Sequence, residues 1–278
     1  MKDHELSDLQ KVQLNILIEL DRVCHENNLH YYLAFGTCLG ALRHKGFIPW
    51  DDDIDVLMPI RDVKKLIHLQ NKFEDKYFVQ SKETDPEYGS ISVRIRNSET
   101  TLIEKDEQNL NINHGIYIDV YPFYEAPATK VGLTLNVLKS HVYKVLSSGR
   151  IPQNHGKSAK ILATLVLNTY GLKHRKKKAS KIEREFMKVK GKEILDYYGQ
   201  DITLLSAITY PKEWFETPRK LEFEGLYFDG PTEPEKYMTK RYGDYMKLPP
   251  VEDQVKHHTY VYMNAHQSYK EYFSSKEK

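Results

Sequence analysis

Apolar residues recur at helical spacing near the start of the chain. Leu9, Ile16, Leu17, Leu20, Val23 and Cys24 share one side, and Ser7 with Gln10 has the spacing of a capping box. An amphipathic helix is expected from there to Asn27. HYYLAF, at 30–35, is rich in strand formers, and Gly36 is expected to end that strand. A helical pattern over 37–44 stops at Lys45-Gly46, and a second strand is expected over 54–58. Residues 61–72 read as a helix. Strict alternation over 91–96 then puts Ile91, Val93 and Ile95 on one face and Ser92, Arg94 and Arg96 on the other. Residues 116–121 alternate in the same way, and Pro122 is expected to close that strand.

After Pro127 the pattern becomes long and helical, over 131–145 and 158–172, with the second stretch running straight into HRKKKASK. From 202 onward turns and short elements are expected, with one helix near 235–241. Strands lie between helices through the first 125 residues. The expected class is therefore α+β: a mixed β-sheet core with flanking helices, a helical insertion and a C-terminal helical region. The domain expectation is a catalytic core over 1–126, a helical insertion over 127–205 and a C-terminal region over 206–278 that completes the site.

Composition narrows the classes. Hydrophobic residues make up 40% of the 278 and charged residues 29%, enough for a core and too polar for a membrane-embedded chain. A net charge of only +2 gives no global field for nucleic acid, so no nucleic-acid partner is expected. No window reaches the ~20 apolar residues of a spanning helix. Cys24 and Cys38 are too few for a disulfide framework, and the first ten residues lack the apolar run of a signal peptide, so a cytoplasmic location is expected. The basic segment 173–181 has two readings: the solvated end of a helical subdomain, or a peripheral contact with anionic headgroups.

DDDID, at 51–55, crowds four carboxylates into five residues. On a strand, period two puts Asp53 and Asp55 on one face, with Ile54 and Val56 on the other. Carboxylates held this close repel unless a proton or cation sits between them, and an all-oxygen donor set suits Mg²⁺, with Mn²⁺ as an alternative. Gly36-Thr37, between a strand and a helix, adds a turn where backbone N–H groups can approach a phosphate. Asp119, on a separate strand, is the candidate third carboxylate of a metal site. Either signal alone is commonly a plain turn or a solvated acidic run; their combination is specific, and strand-Gly-Thr-helix followed by Asp-x-Asp is the signature of the nucleotidyltransferase fold.

Three blocks carry a closer resemblance: GTCLGALRHKGFIPWDDDIDV from Gly36, GIYIDVYPFY from Gly115, and YPKEWFETPRKLEFEGLYFDGPTEPEKYMTKRYGDYMKLPP from Tyr210. They resemble the LicD family of bacterial phosphotransferases, which attach phosphocholine to cell-surface glycans. The resemblance implies Asp53, Asp55 and Asp119 as catalytic metal ligands and Gly36 and Thr37 as the phosphate turn. It implies a CDP-linked donor, CDP-choline first, and an acceptor hydroxyl on a teichoic acid, capsule or lipid-linked glycan precursor, with CMP released at the inner face of the membrane. Ribitol or glycerol phosphate as the transferred group, and a non-catalytic nucleotide-binding protein, are the alternatives. Lys45, Arg94 and Arg96 are candidate phosphate contacts, weighed against helix capping for Lys45 and surface ion pairing for the arginines. Tyr117, Tyr121 and Trp50 are candidate contacts for a quaternary ammonium, with Trp50 assigned mostly to packing.

Overall fold

The computed structural model describes residues 5–149, 157–196, 207–255 and 260–276. Helix α1 (Asp8–Glu26) begins where the capping box sets it, with Ser7 Oγ accepting the Gln10 N–H and the Gln10 side chain accepting the Ser7 N–H. β1 (Tyr32–Leu33), α2 (Phe35–Arg43), β2 (Asp55–Pro59), α3 (Ile60–Leu66), β3 (Tyr77–Gln80), β4 (Val93–Asn97), β5 (Thr101–Glu104) and β6 (Ile116–Glu125) follow. Next come α4 (Lys130–Ser148), α5 (Lys157–Thr169) and α6 (Leu172–Lys188). The chain continues through β7 (Glu193–Asp196), β8 (Tyr210–Pro211), the β9 (Arg219–Phe223) and β10 (Leu226–Gly230) hairpin, α7 (Pro234–Tyr242), β11 (Tyr260–Asn264) and α8 (Tyr269–Lys276).

The main sheet runs β1-β2-β6-β4-β3, with β7 joined to β6 and β8 to β7. β2 and β6 are parallel, and the other pairs are antiparallel. Two small sheets stand apart from it: the β9–β10 hairpin, and β5 paired with the late strand β11. The α+β expectation holds, with a mixed sheet flanked by helices. The principal core runs from α1 across both sides of the sheet to Phe215, Phe223, Tyr237 and Met238. A satellite core of Tyr124, Tyr143, Leu146, Ala179, Ile182, Phe186 and Leu195 joins α4 and α6 to the far end of β6.

Several boundaries differ from the expectation for physical reasons. The strand over 30–35 shortens to two residues, because Phe35 takes a left-handed φ of 46° and already opens α2. Gly36 therefore lies inside the first turn of that helix. Pro122 does not end β6: on the β4 edge the ladder stops at Val120 and resumes with β7 at Phe123, so Pro122 lies in the gap. Gly171 separates α5 from α6, which places HRKKKASK on a helix of its own. β7 lies within the stretch read as helical and adds a strand to the main sheet. His257 and His258, read from sequence as surface histidines, lie outside the described residues.

Candidate active site

Register brings the carboxylates together. Asp55 is the Cα partner of Asp119 in the parallel β2–β6 ladder, and Asp119 is the partner of Arg94 across β6–β4. Arg94, Asp119 and Asp55 thus stand in one row on three neighbouring strands, with strand spacing of about 4.8 Å. Asp53 lies ahead of β2 on the loop from α2, although Ile54 O still accepts the Asp119 N–H at 3.0 Å. Burial, then Asp53, Asp119 and Asp51, push the Asp55 carboxyl well above the usual carboxylate range, while Arg241 pulls against them. Asp51 is part of the same electrostatic cluster.

The first turn of α2 abuts this cluster. Thr37 Oγ1 accepts the Asp55 N–H at 2.8 Å, and Ala34 N–H donates to Asp55 O at 3.0 Å, so the turn is tied to the start of β2 from both sides. A Cβ on Gly36 would lie 2.6 Å from Asp51 Oδ2, so any other residue there would displace that carboxylate from its present position. The Phe35 ring meets Tyr121 edge-on at 5.6 Å, and the Arg241 guanidinium lies over the Phe35 ring at 4.4 Å. Arg241 also donates to Tyr210 Oη at 3.4 Å. The RYGDY block, whose task was not legible in the sequence, therefore supplies a cation to the edge of the acidic cluster from 186 positions beyond Asp55.

Other candidates stand elsewhere. Arg96 is fully buried, with its donors on Gln80, Gly115 O and Glu107, so it has no surface on which to meet a phosphate. Arg94 is turned inward as well: its Nε reaches Asp119 Oδ1 at 3.3 Å and its terminal nitrogens reach Glu104 and Glu107. It holds Asp119, which also accepts the Ser92 hydroxyl at 3.0 Å. Tyr117 is buried, its hydroxyl donates to Glu104, and its ring carries the Arg94 and Arg96 guanidiniums at 3.8 and 4.6 Å. Arginines thus occupy the aromatic surface a quaternary ammonium would use. Lys45 is exposed, just beyond the opposite end of α2 from Gly36. Trp50 meets His44 edge-on at 6.3 Å and packs against the principal core. Of the aromatic candidates, Tyr121 is the one brought beside the α2 turn.

A second group was not expected. Asp21, His25 and Asp229 hold potential ligand atoms within 4.8 Å of one another, a candidate metal cluster between α1 and the β9–β10 hairpin. Lys220 Nζ lies 2.9 Å from Asp229 and 3.3 Å from His25 Nε2, so an ammonium already supplies positive charge there. Asp53, Asp55 and Asp119 offer carboxylate oxygens alone. Their all-oxygen character and the repulsion concentrated on Asp55 fit a hard divalent cation, and Asp119 Oδ2 is not among the atoms engaged by Ser92 and Arg94.

A parallel strand pair bearing Asp55 and Asp119, with a strand-glycine-helix turn against it, defines the nucleotidyltransferase class. Residues 28–145 match the family described as LicD/FKTN/FKRP, nucleotidyltransferase domain. It is 27% identical over 268 residues to the lipopolysaccharide cholinephosphotransferase LicD of Haemophilus influenzae, covering 93% of this chain and 97% of that protein. It is 29% identical over 101 residues to the human ribitol 5-phosphate transferase FKRP, covering 34% of this chain and 17% of that protein. Mannosyltransferase regulator 4 of Saccharomyces cerevisiae is 25% identical over 170 residues, 56% of this chain and 14% of that protein.

Proposed function

We propose that the chain transfers a phospho-alcohol from a CDP-linked donor to a glycan hydroxyl, with phosphocholine from CDP-choline as the transferred group. The observation that carries the choice of cargo is the end-to-end match to a cholinephosphotransferase, against a match to about a third of this chain for the ribitol 5-phosphate enzyme. In this reading Asp53, Asp55 and Asp119 hold Mg²⁺ or Mn²⁺. The bound ion supplies charge neutralisation at the donor diphosphate.

The residues divide the remaining work. The first-turn N–H groups of α2 and the Arg241 guanidinium bind donor phosphate oxygens, where a planar fork suits the geometry. Arg94 and Ser92 fix the Asp119 carboxylate, so that it need not reorganise during the reaction. Tyr121 offers an aromatic face to the choline end. Asp53, at the loop edge of the cluster, takes the proton of the acceptor hydroxyl as its oxygen bonds to phosphorus; the phosphorus–oxygen bond to CMP breaks, and CMP leaves with that electron pair.

The test is CMP release from a panel of CDP-choline, CDP-ribitol and CDP-glycerol with Mg²⁺ and membrane-derived glycan acceptor. Release with CDP-choline alone supports the reading. Release with CDP-ribitol alone transfers the assignment to the other cargo, and no release from any donor overturns the transferase assignment.

A further inference from the structure

The outer faces of α4, α5 and α6 carry two patterns that the proposed chemistry does not use. On α4, Val131, Leu135 and Leu138 recur at helical spacing and are 72%, 54% and 36% exposed. On α5, Ile161 and Leu165 are 62% and 60% exposed. On α6, Lys177, Lys181, Arg184 and Lys188 are exposed at spacings of four, three and four, one side of a helix. α4 and α6 bury their inner sides in the same satellite core, so their opposite sides both face outward. The Lys139–Glu185 ion pair at 2.8 Å bridges the two helices, and the start of α6 lies against the end of α4, where Arg175 Nη1 is 3.4 Å from a Cβ built on Gly149. An apolar stripe therefore runs beside a basic stripe on antiparallel neighbours.

We propose that this helical layer docks on an anionic lipid surface. The lysine and arginine stripe meets the headgroups, and the aliphatic residues of α4 and α5 enter the boundary beneath them. The aliphatic stripe decides between occupants. A polyanion such as RNA or an acidic glycan would engage the cations alone and leave Val131, Leu135, Ile161 and Leu165 in water. No helix among the described residues is long and apolar enough to cross a membrane, so the contact is one that lies on the surface. The proposal stands on this surface alone and does not depend on which group is transferred.

Vesicle flotation tests it with the intact chain, using phosphatidylcholine vesicles and vesicles mixed with phosphatidylglycerol. The protein should float with the mixed vesicles and stay behind with phosphatidylcholine alone. The triple change Lys177→Gln, Lys181→Gln and Arg184→Gln should weaken partitioning about a hundredfold, at about fivefold per cation removed. The pair Leu135→Gln and Ile161→Gln, which changes no charge, should weaken it at least about tenfold with binding to a heparin column unchanged. All five positions are exposed, and unchanged circular dichroism and melting would confirm an intact fold. Equal flotation with both vesicle types overturns the proposal. Full vesicle binding by the Leu135→Gln, Ile161→Gln variant also overturns it, because the surface would then bind polyanions through charge alone.

Discussion

Asp55 illustrates how one residue sets stability against function. Its carboxyl is held well above the usual range by burial and by Asp53, Asp119 and Asp51. Asp55→Asn removes the ionisable group from that field. In the absence of divalent cation the variant should melt higher than the wild type, yet release CMP at least about a hundredfold more slowly. Mg²⁺ should raise the melting temperature of the wild type and leave that of the variant unmoved; equal stabilisation of both would place the cation elsewhere, with the Asp21–His25–Asp229 group the first to examine. At this scale the sequence was informative about identity and weaker about neighbours. Strand alternation singled out Asp53 and Asp55 because a period of two is visible in a run of letters, yet β2 begins only at Asp55 and leaves Asp53 on the loop before it. The same alternation put Arg96 on a polar face, and that face is buried against Gln80, Gly115 O and Glu107, which no local pattern encodes.

Among the elements, two ties set the geometry. Thr37 fastens α2 to β2 through the Asp55 N–H, and Thr37→Val leaves that donor without its side-chain acceptor. A loss of about 1–3 kcal/mol is expected, read as a lower urea midpoint with an unchanged slope. Glu183 fastens α6 to the sheet side: it pairs with Lys64 at 2.9 Å and Lys82 at 3.3 Å and accepts the Tyr143 hydroxyl at 2.8 Å. Burial opposes its ionisation, but Lys82 and Lys64 outweigh it and hold the carboxyl below its usual value. A depressed carboxyl stabilises the fold above its unfolded value and loses that contribution as pH falls through the folded one. Glu183→Gln should therefore flatten the acid limb of a melting-temperature profile below about pH 5. A limb as steep as that of the wild type would show that the pair contributes nothing. Helices α1, α4 and α7 were legible from caps and periodicity. The split of α5 from α6 was less so, because Gly171 sits between two segments that each continue a helical pattern.

In the whole molecule, contacts distant in sequence assemble the site. Arg241 reaches Phe35, and β11 pairs with β5, so the C-terminal region closes around the N-terminal one. Arg241→Ala should lower kcat/KM about 10- to 100-fold, and Arg241→Lys should recover only part of it, because an ammonium lacks the flat stack on Phe35. Full activity in the lysine variant would reduce the role to simple charge. The sequence blocks raised the expectation that this region completes the site, but the Arg241 partner, two hundred positions away, is a property of the folded chain.

β6 binds these scales together. Its first half carries Asp119 between β2 and β4, and its second half carries Tyr124 into the satellite core beneath α4 and α6. The two residues are separated by five steps of one continuous strand, about 17 Å. A strand laddered to β2 without a break from Asp119 to Phe123 does not bend like a linker, so whatever surface the helices rest upon fixes the height and heading of the carboxylates above it. The molecule behaves as a gauge, offering its chemistry at a set elevation.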